Sequence, residues 1–342
     1  MIQILWFCLV AIMIAGYSIL DGFDLGAGVI HLFVARDAGE RKQVLSTIGP
    51  VWDGNEVWLL AGGGTLYFAF PALYAGAFSG FYLALMLVLW LLILRGMSIE
   101  LRSHIESHLW QPFWDFLFGA SSALLALLYG VALGNVVRGV PLDSNGYFFL
   151  PLWTDLKPGP QAGIVDWYTV LIGAAALLAL ALHGCYWVIY KTGGALQERS
   201  RSFGAKVWWG VAVITVVITI FSFRLQPNIS KEFADRPWGY VFPALALIGL
   251  FGERVASGRG RDFGAFFFSC VYIVGMLTSA AFGVFPYVLP SNGAPEMSLT
   301  VTNAAAAPYG LWIGLYWWIP GMILAGIYSF FVYRHFGGKV ES

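Results

Sequence analysis

The sequence predicts an all-α integral membrane protein of nine transmembrane helices, N-terminus outside and C-terminus cytoplasmic. Three observations predict it. Hydrophobic residues make up 59% of the 342 and charged residues 11%, whereas a soluble domain carries about 25% charge. The apolar residues come in blocks long enough for the roughly 20-residue helix that a bilayer core requires. Once the blocks are alternated across a membrane, the basic residues gather on one side, as cytoplasmic loops do.

The elements follow in order. Ile2 to Leu20 is uncharged and runs on to about Phe33. No basic residue precedes it and no small-x-small cleavage pattern follows a short apolar core, so it reads as a retained first span rather than a signal peptide. Val57 to Leu94 is also free of charge. Pro71 and Gly76 divide it into two spans joined by a tight turn. Six more apolar runs follow. The spans cover about residues 2–33, 51–70, 77–95, 114–137, 166–190, 206–224, 237–253, 263–286 and 308–334, a single polytopic domain over 1–342. Backbone groups in lipid must bond internally, so each span is a helix.

The sixth and seventh spans are the shortest, and the charge pattern supports both. Of 19 Lys and Arg, Arg138, Lys157, Arg224, Lys231 and Arg236 fall outside and the rest inside. Removing one of the two spans would carry the last five basic residues outside and weaken that bias. Asp and Glu also number 19, so net charge is zero, and no basic surface for nucleic acid is implied. Trp110, Trp114, Trp208 and Trp209 fall near helix ends, where amphipathic rings sit at the headgroups. The outside loops 138–166 and 286–307 are rich in Pro, Gly and Asn and read as ordered caps or partner contacts.

Acidic residues inside spans are costly, so each is a functional candidate. Asp21 and Asp24 share a helix face at i,i+3, with Gly22 and Gly26 spaced for close helix approach. Asp53 and Glu56 repeat the i,i+3 spacing at the start of the second span, beside Asn55, Trp52 and Trp58. Glu100 lies just past the third span between Arg95 and Arg102. Two readings stand for these groups: carboxylates that fix packing through ion pairs, or a relay that holds and passes protons.

Other candidates are weaker. Cys8, Cys185 and Cys270 sit in apolar runs without a partner at metal-ligand spacing. His104 and His108 are i,i+4 on an amphipathic cytoplasmic segment, Ile99 to Trp110, with no third metal ligand nearby. His31 and His183 lie in spans, where a histidine is either hydrogen-bonded structure or a haem ligand. Gly62-Gly63-Gly64 lies within a span and suits helix packing, not phosphate binding. No P-loop, dinucleotide fingerprint, CxxCH or HExxH occurs.

Four segments carry a family resemblance: Asp21-Gly22-Phe23-Asp24-Leu25-Gly26, Gly49-Pro50-Val51-Trp52-Asp53-Gly54-Asn55-Glu56-Val57-Trp58-Leu59, Ala75-Gly76-Ala77-Phe78-Ser79-Gly80-Phe81-Tyr82 and Phe285-Pro286-Tyr287-Val288-Leu289-Pro290-Ser291. Together they resemble subunit II of the cytochrome bd-type quinol oxidases. The likeness is strong over about residues 1–110, looser over the last two spans and poor in the outside loops.

The resemblance implies a bacterial cytoplasmic (inner) membrane protein, surrounded by lipid, that pairs with a subunit I. It also allows a small accessory subunit. The complex oxidises quinol on the outer, periplasmic side and reduces oxygen to water. Haems b558, b595 and d belong to subunit I, so this chain ligates no haem, and some members bind a quinone. Asp53 matches the family's proton-route aspartate. Glu100 matches an acidic residue that is aspartate in some relatives. The expectation is a non-haem subunit whose Asp53, Glu56, Asp24, Asp21 and Glu100 relay cytoplasmic protons. The alternatives are a pure scaffold subunit and an unrelated ion-coupled transporter. The latter calls for inverted repeats, and the sequence shows no internal repeat.

Overall fold

The computed structural model describes residues 1–340. Twelve α-helices account for most of them: α1 (Ile2–Val34), α2 (Ala38–Ile48), α3 (Trp52–Ala69), α4 (Pro71–Gly80), α5 (Tyr82–Leu101), α6 (Trp110–Arg138), α7 (Trp167–Lys191), α8 (Gly194–Leu225), α9 (Pro227–Asp235), α10 (Val241–Gly258), α11 (Asp262–Val284) and α12 (Pro308–His335). A two-stranded antiparallel hairpin, β1 (Tyr287–Leu289) with β2 (Leu299–Thr300), lies between α11 and α12.

Among the described residues eight helices are long and apolar enough to cross a membrane: α1, α5, α6, α7, α8, α10 with the turn that precedes it, α11 and α12. The protein is therefore an all-α integral membrane protein. The expected second span is α3, with 18 residues. It falls outside that set because Asp53, Asn55 and Glu56 crowd its first turns.

Several boundaries differ from those expected. The tight turn at Pro71–Gly76 is instead the ten-residue helix α4. Pro71 occupies its first turn, where a missing N–H leaves nothing unsatisfied, so the proline starts a helix as well as ending one. The third span consequently starts at Tyr82 and not near residue 77. Helix α8 begins at Gly194, well before 206, and α2 and α9 are additional. The start of α2 is set by Asp37, whose side chain accepts from the Glu40 N–H at 2.9 Å. A capping box of Asp166 and Thr169 opens α7, satisfying donors that a helix start leaves free. The segment holding His104 and His108 is not helical: α5 ends at Leu101 and turns follow.

Helix α7 is the most enclosed of the long helices, with 72% of its apolar window buried, and α12 is the least, with 0%. Helices α1 and α7 meet through glycines. A Cβ on Gly26 would stand 2.7 Å from Gly184 Cα, so only glycine permits this approach. The loops 138–166 and 286–307 are tied together. Gly139 ends α6 at φ +89°, a left-handed value that favours glycine. Val140 N–H then donates to Pro290 O at 3.0 Å, and Asn292 N–H returns to Val140 O at 3.1 Å.

Candidate functional site

Four helices bring their polar side chains to one buried cluster. Asp21 and Asp24 of α1 are 0% and 1% exposed, and Arg95 of α5 is 0% exposed. The i,i+3 spacing turns both aspartates toward α3 and α5. Arg95 Nη1 donates to both Asp21 oxygens, at 2.7 and 2.9 Å. Its Nη2 donates to Glu56 Oε2 at 3.0 Å. Asp24 pairs differently. Asn55 Nδ2 donates to Asp24 Oδ2 at 2.7 Å, and Tyr333 of α12 donates its hydroxyl to Asn55 Oδ1 at 2.7 Å. Asp24 Oδ1 is buried without a hydrogen-bond partner among the described residues.

The electrostatics follow directly. Three carboxyl groups face one guanidinium, and Asp24 has an amide where a cation would neutralise it. An uncompensated charge at this depth is expensive. The cluster balances its charge only when it also holds protons or a further cation. One turn along α1 from Asp21, the Tyr17 hydroxyl donates to the Tyr129 hydroxyl at 2.9 Å, adding groups that both donate and accept.

The other two candidate acids lie apart. Asp53 and Glu100 are exposed. A helix turns about 100° per residue, so Asn55 facing α1 puts Asp53, two residues earlier, on the opposite side of α3. Glu56 stays in the cluster because its side chain, 25% exposed, reaches sideways to Arg95. Glu100 lies beyond Arg95 near the end of α5, where its backbone carbonyl accepts from His104 Nδ1 at 2.9 Å.

Sequence reasoning did not single out Arg95, Tyr333, Tyr17 or Tyr129 as site residues. It also passed over three buried groups elsewhere. Asp115 of α6 accepts from Arg102 and, at 3.3 Å, from Arg41. Arg138 pairs with Asp166 at the other end of the bundle. Glu253 of α10 is 0% exposed, with both carboxyl oxygens unpartnered among the described residues. The available signal was the one that found Asp21 and Asp24: a charged residue within or at the rim of a span.

The two histidines within spans are held by hydrogen bonds. His183 Nε2 donates to Ile19 O at 3.0 Å, and its Nδ1 hydrogen-bonds Ser269 Oγ at 2.7 Å. Its ring also stacks on Phe266 at 4.9 Å. His31 Nδ1 donates to Gly28 O at 2.7 Å, and its Nε2 lies 4.0 Å from Asp115. Among the described residues no group of three or more His, Cys, Asp and Glu is placed to hold a metal ion.

Comparison with known proteins gives a consistent result. The family model described as cytochrome bd terminal oxidase subunit II matches residues 2–336. A probable cytochrome oxidase subunit 2 of Haemophilus influenzae is 32% identical, covering 100% of this chain and 96% of its own. The cytochrome bd ubiquinol oxidase subunit 2 of Bacillus subtilis is 30% identical over 96% of this chain and 95% of its own. Subunit 2 of the Escherichia coli K12 cytochrome bd-I ubiquinol oxidase is 29% identical over 90% and 86%. A solved structure of the bd oxidase from Geobacillus thermodenitrificans superposes with a TM-score of 0.75 over 98% of each chain. At 17% identity that match speaks for a shared fold.

Proposed function

The chain belongs to the cytochrome bd terminal oxidase subunit II family, and from that premise we propose that it is the subunit of a quinol:oxygen oxidoreductase that ligates no haem and draws cytoplasmic protons toward the oxygen-reducing centre. The complex works in a bacterial inner membrane. Haems b558, b595 and d then reside on subunit I, a reading supported by the family membership. Helix α3 makes a ninth span, which leaves the N-terminus periplasmic and the C-terminus cytoplasmic; the bias of Lys and Arg toward one side supports that orientation.

The observation that carries the proton role is the buried cluster of Asp21, Asp24 and Glu56 with one guanidinium. Reduction of oxygen to water consumes protons, and a carboxyl lacking a cation partner is a group that takes one up. Asp53 and Glu100 are the exposed members, at the cytoplasmic end, where protons arrive. Asp24 and Asp21 are the buried ones, and Glu56 is half-buried beside them.

Subunit I covers the exposed stripe of α3. Beyond Asp53, which stays open at the cytoplasmic end, Val57, Leu60, Gly64 and Tyr67 recur at helical spacing and are all exposed. A Cβ on Gly63 or Gly64 would meet nothing within 4 Å, so this small-residue surface awaits a helix from another chain. The quinol substrate, a structural quinone and a small accessory subunit come with the family.

The alternative is a scaffold, favoured by the way Arg95 ties α1, α3 and α5 together. Replacing Asp24 by Asn in the assembled complex separates the two readings. The proton role predicts normal haem spectra with turnover lowered at least about tenfold. A scaffold predicts less assembled complex with ordinary turnover per haem.

A further inference from the structure

A second feature lies at the end of the bundle where α1, α7 and α12 finish. A crevice of about 580 Å³ runs between α1, α7, α11 and α12, a volume in the range of small-molecule sites. Its deep part is aromatic and aliphatic, with Phe23, Trp187 and Phe266 beside Ile19. Phe23 stacks on Trp187 at 4.0 Å. Its mouth is basic, with Lys191, His335 and Lys339, and no Asp or Glu among the described lining residues.

Lys191 is the informative group. It ends α7 and is 6% exposed. Its Nζ donates to the Phe336 carbonyl at 2.6 Å and lies 5.6 Å from the centre of the Trp187 ring. A carbonyl and a ring face satisfy part of an ammonium, which has three donors, and neither supplies a negative charge. A buried cation above an apolar slot matches an amphiphile with an anionic head. Basic pockets between transmembrane helices hold lipid headgroups in this way.

We propose that this crevice binds one anionic phospholipid of the surrounding leaflet, its phosphate on Lys191 and one acyl chain along Phe23, Trp187 and Phe266. The second chain remains in the bilayer. Tyr333 joins the crevice to the acid cluster, because its ring lines the slot while its hydroxyl holds Asn55. The bound lipid thus steadies the residue that fixes Asp24. The lipid site stands independently of the proton role, since its occupancy is read without turnover.

The test uses the complete oxidase complex, exchanged into detergent with dioleoyl phosphatidylglycerol, dioleoyl phosphatidylcholine or oleate, and native mass spectrometry to count retained lipid. The wild-type complex is expected to retain one phosphatidylglycerol and to prefer it over phosphatidylcholine. Lys191→Gln lowers that retention about tenfold, while Lys191→Arg keeps it. Equal retention of the two phospholipids overturns the proposal, and this reading needs no variant to fold. Retention of oleate in place of phosphatidylglycerol also overturns it, as a free carboxylate is then the ligand.

Discussion

An amide does not pass a proton as a chain of waters does, so Asn55 fixes Asp24 rather than feeding it. It holds Oδ2 and leaves Oδ1 free to exchange. Asn55→Ala is therefore expected to lower turnover in assembled complex, and Tyr333→Phe, which removes only the hydroxyl behind Asn55, to lower it less. Oxygen consumption per haem ranks the two, and equal losses would argue against the lock. Arg95→Gln has a different outcome. It leaves buried Asp21 and half-buried Glu56 without a cation, at a cost of about 3–5 kcal/mol. The expected result is little assembled complex, read as haem recovered per membrane protein. The three clustered acids were legible in the sequence because charge inside a span is rarely idle. Arg95 was not, since its place at the end of an apolar run reads equally well as a loop charge. Nor could i,i+3 spacing say which face of α3 turns inward. The rotation that brings Asn55 to Asp24 is what carries Asp53 outward.

Among the helices, the contact of α1 with α7 positions the site, because α1 carries both aspartates and α7 is the most enclosed helix. Gly26 and Gly184 allow it. Gly26→Val is expected to force the helices apart and cost about 1–3 kcal/mol. The complex should then lose haem spectra at a lower temperature than wild type in a thermal ramp, and an unchanged ramp would show that the contact carries little. The pairing of Gly22 with Gly26 had pointed to close helix approach, and the structure names the neighbours, Leu180 for Gly22 and Gly184 for Gly26. The α4 region was less legible. A proline between two apolar runs marks a break in either case, and only packing of the outer loops decides that a short helix follows it. Gly76, for instance, lies against the carbonyl of Gly146 in the 138–166 loop.

At the scale of the molecule, α12 and α5 are the least enclosed long helices, with 0% and 11% of their apolar windows buried, and one face of α3 is exposed as well. Lipid accounts for large side chains there, such as Tyr316 and Leu324, 78% and 68% exposed. It does not account for Gly63 and Gly64, whose missing side chains favour another helix. Gly64→Trp is expected to prevent co-purification of subunit I while the chain still inserts in the membrane. Pull-down through a tag on this chain checks it, and normal recovery of the partner would place subunit I elsewhere. Eight of the apolar helices were legible from hydropathy because lipid imposes one rule on each of them. The outer loops were not, since the hairpin β1–β2 and its tie to Val140 depend on contacts between segments far apart in sequence.

The central claim is that the Asp24 cluster takes up protons for oxygen reduction. The most direct test mixes fully reduced complex with oxygen beside a pH-indicator dye and follows proton uptake in wild type and Asp24→Asn at matched haem content. The account predicts uptake slowed at least about tenfold in the variant, with haem spectra unchanged. Uptake at the wild-type rate would contradict it.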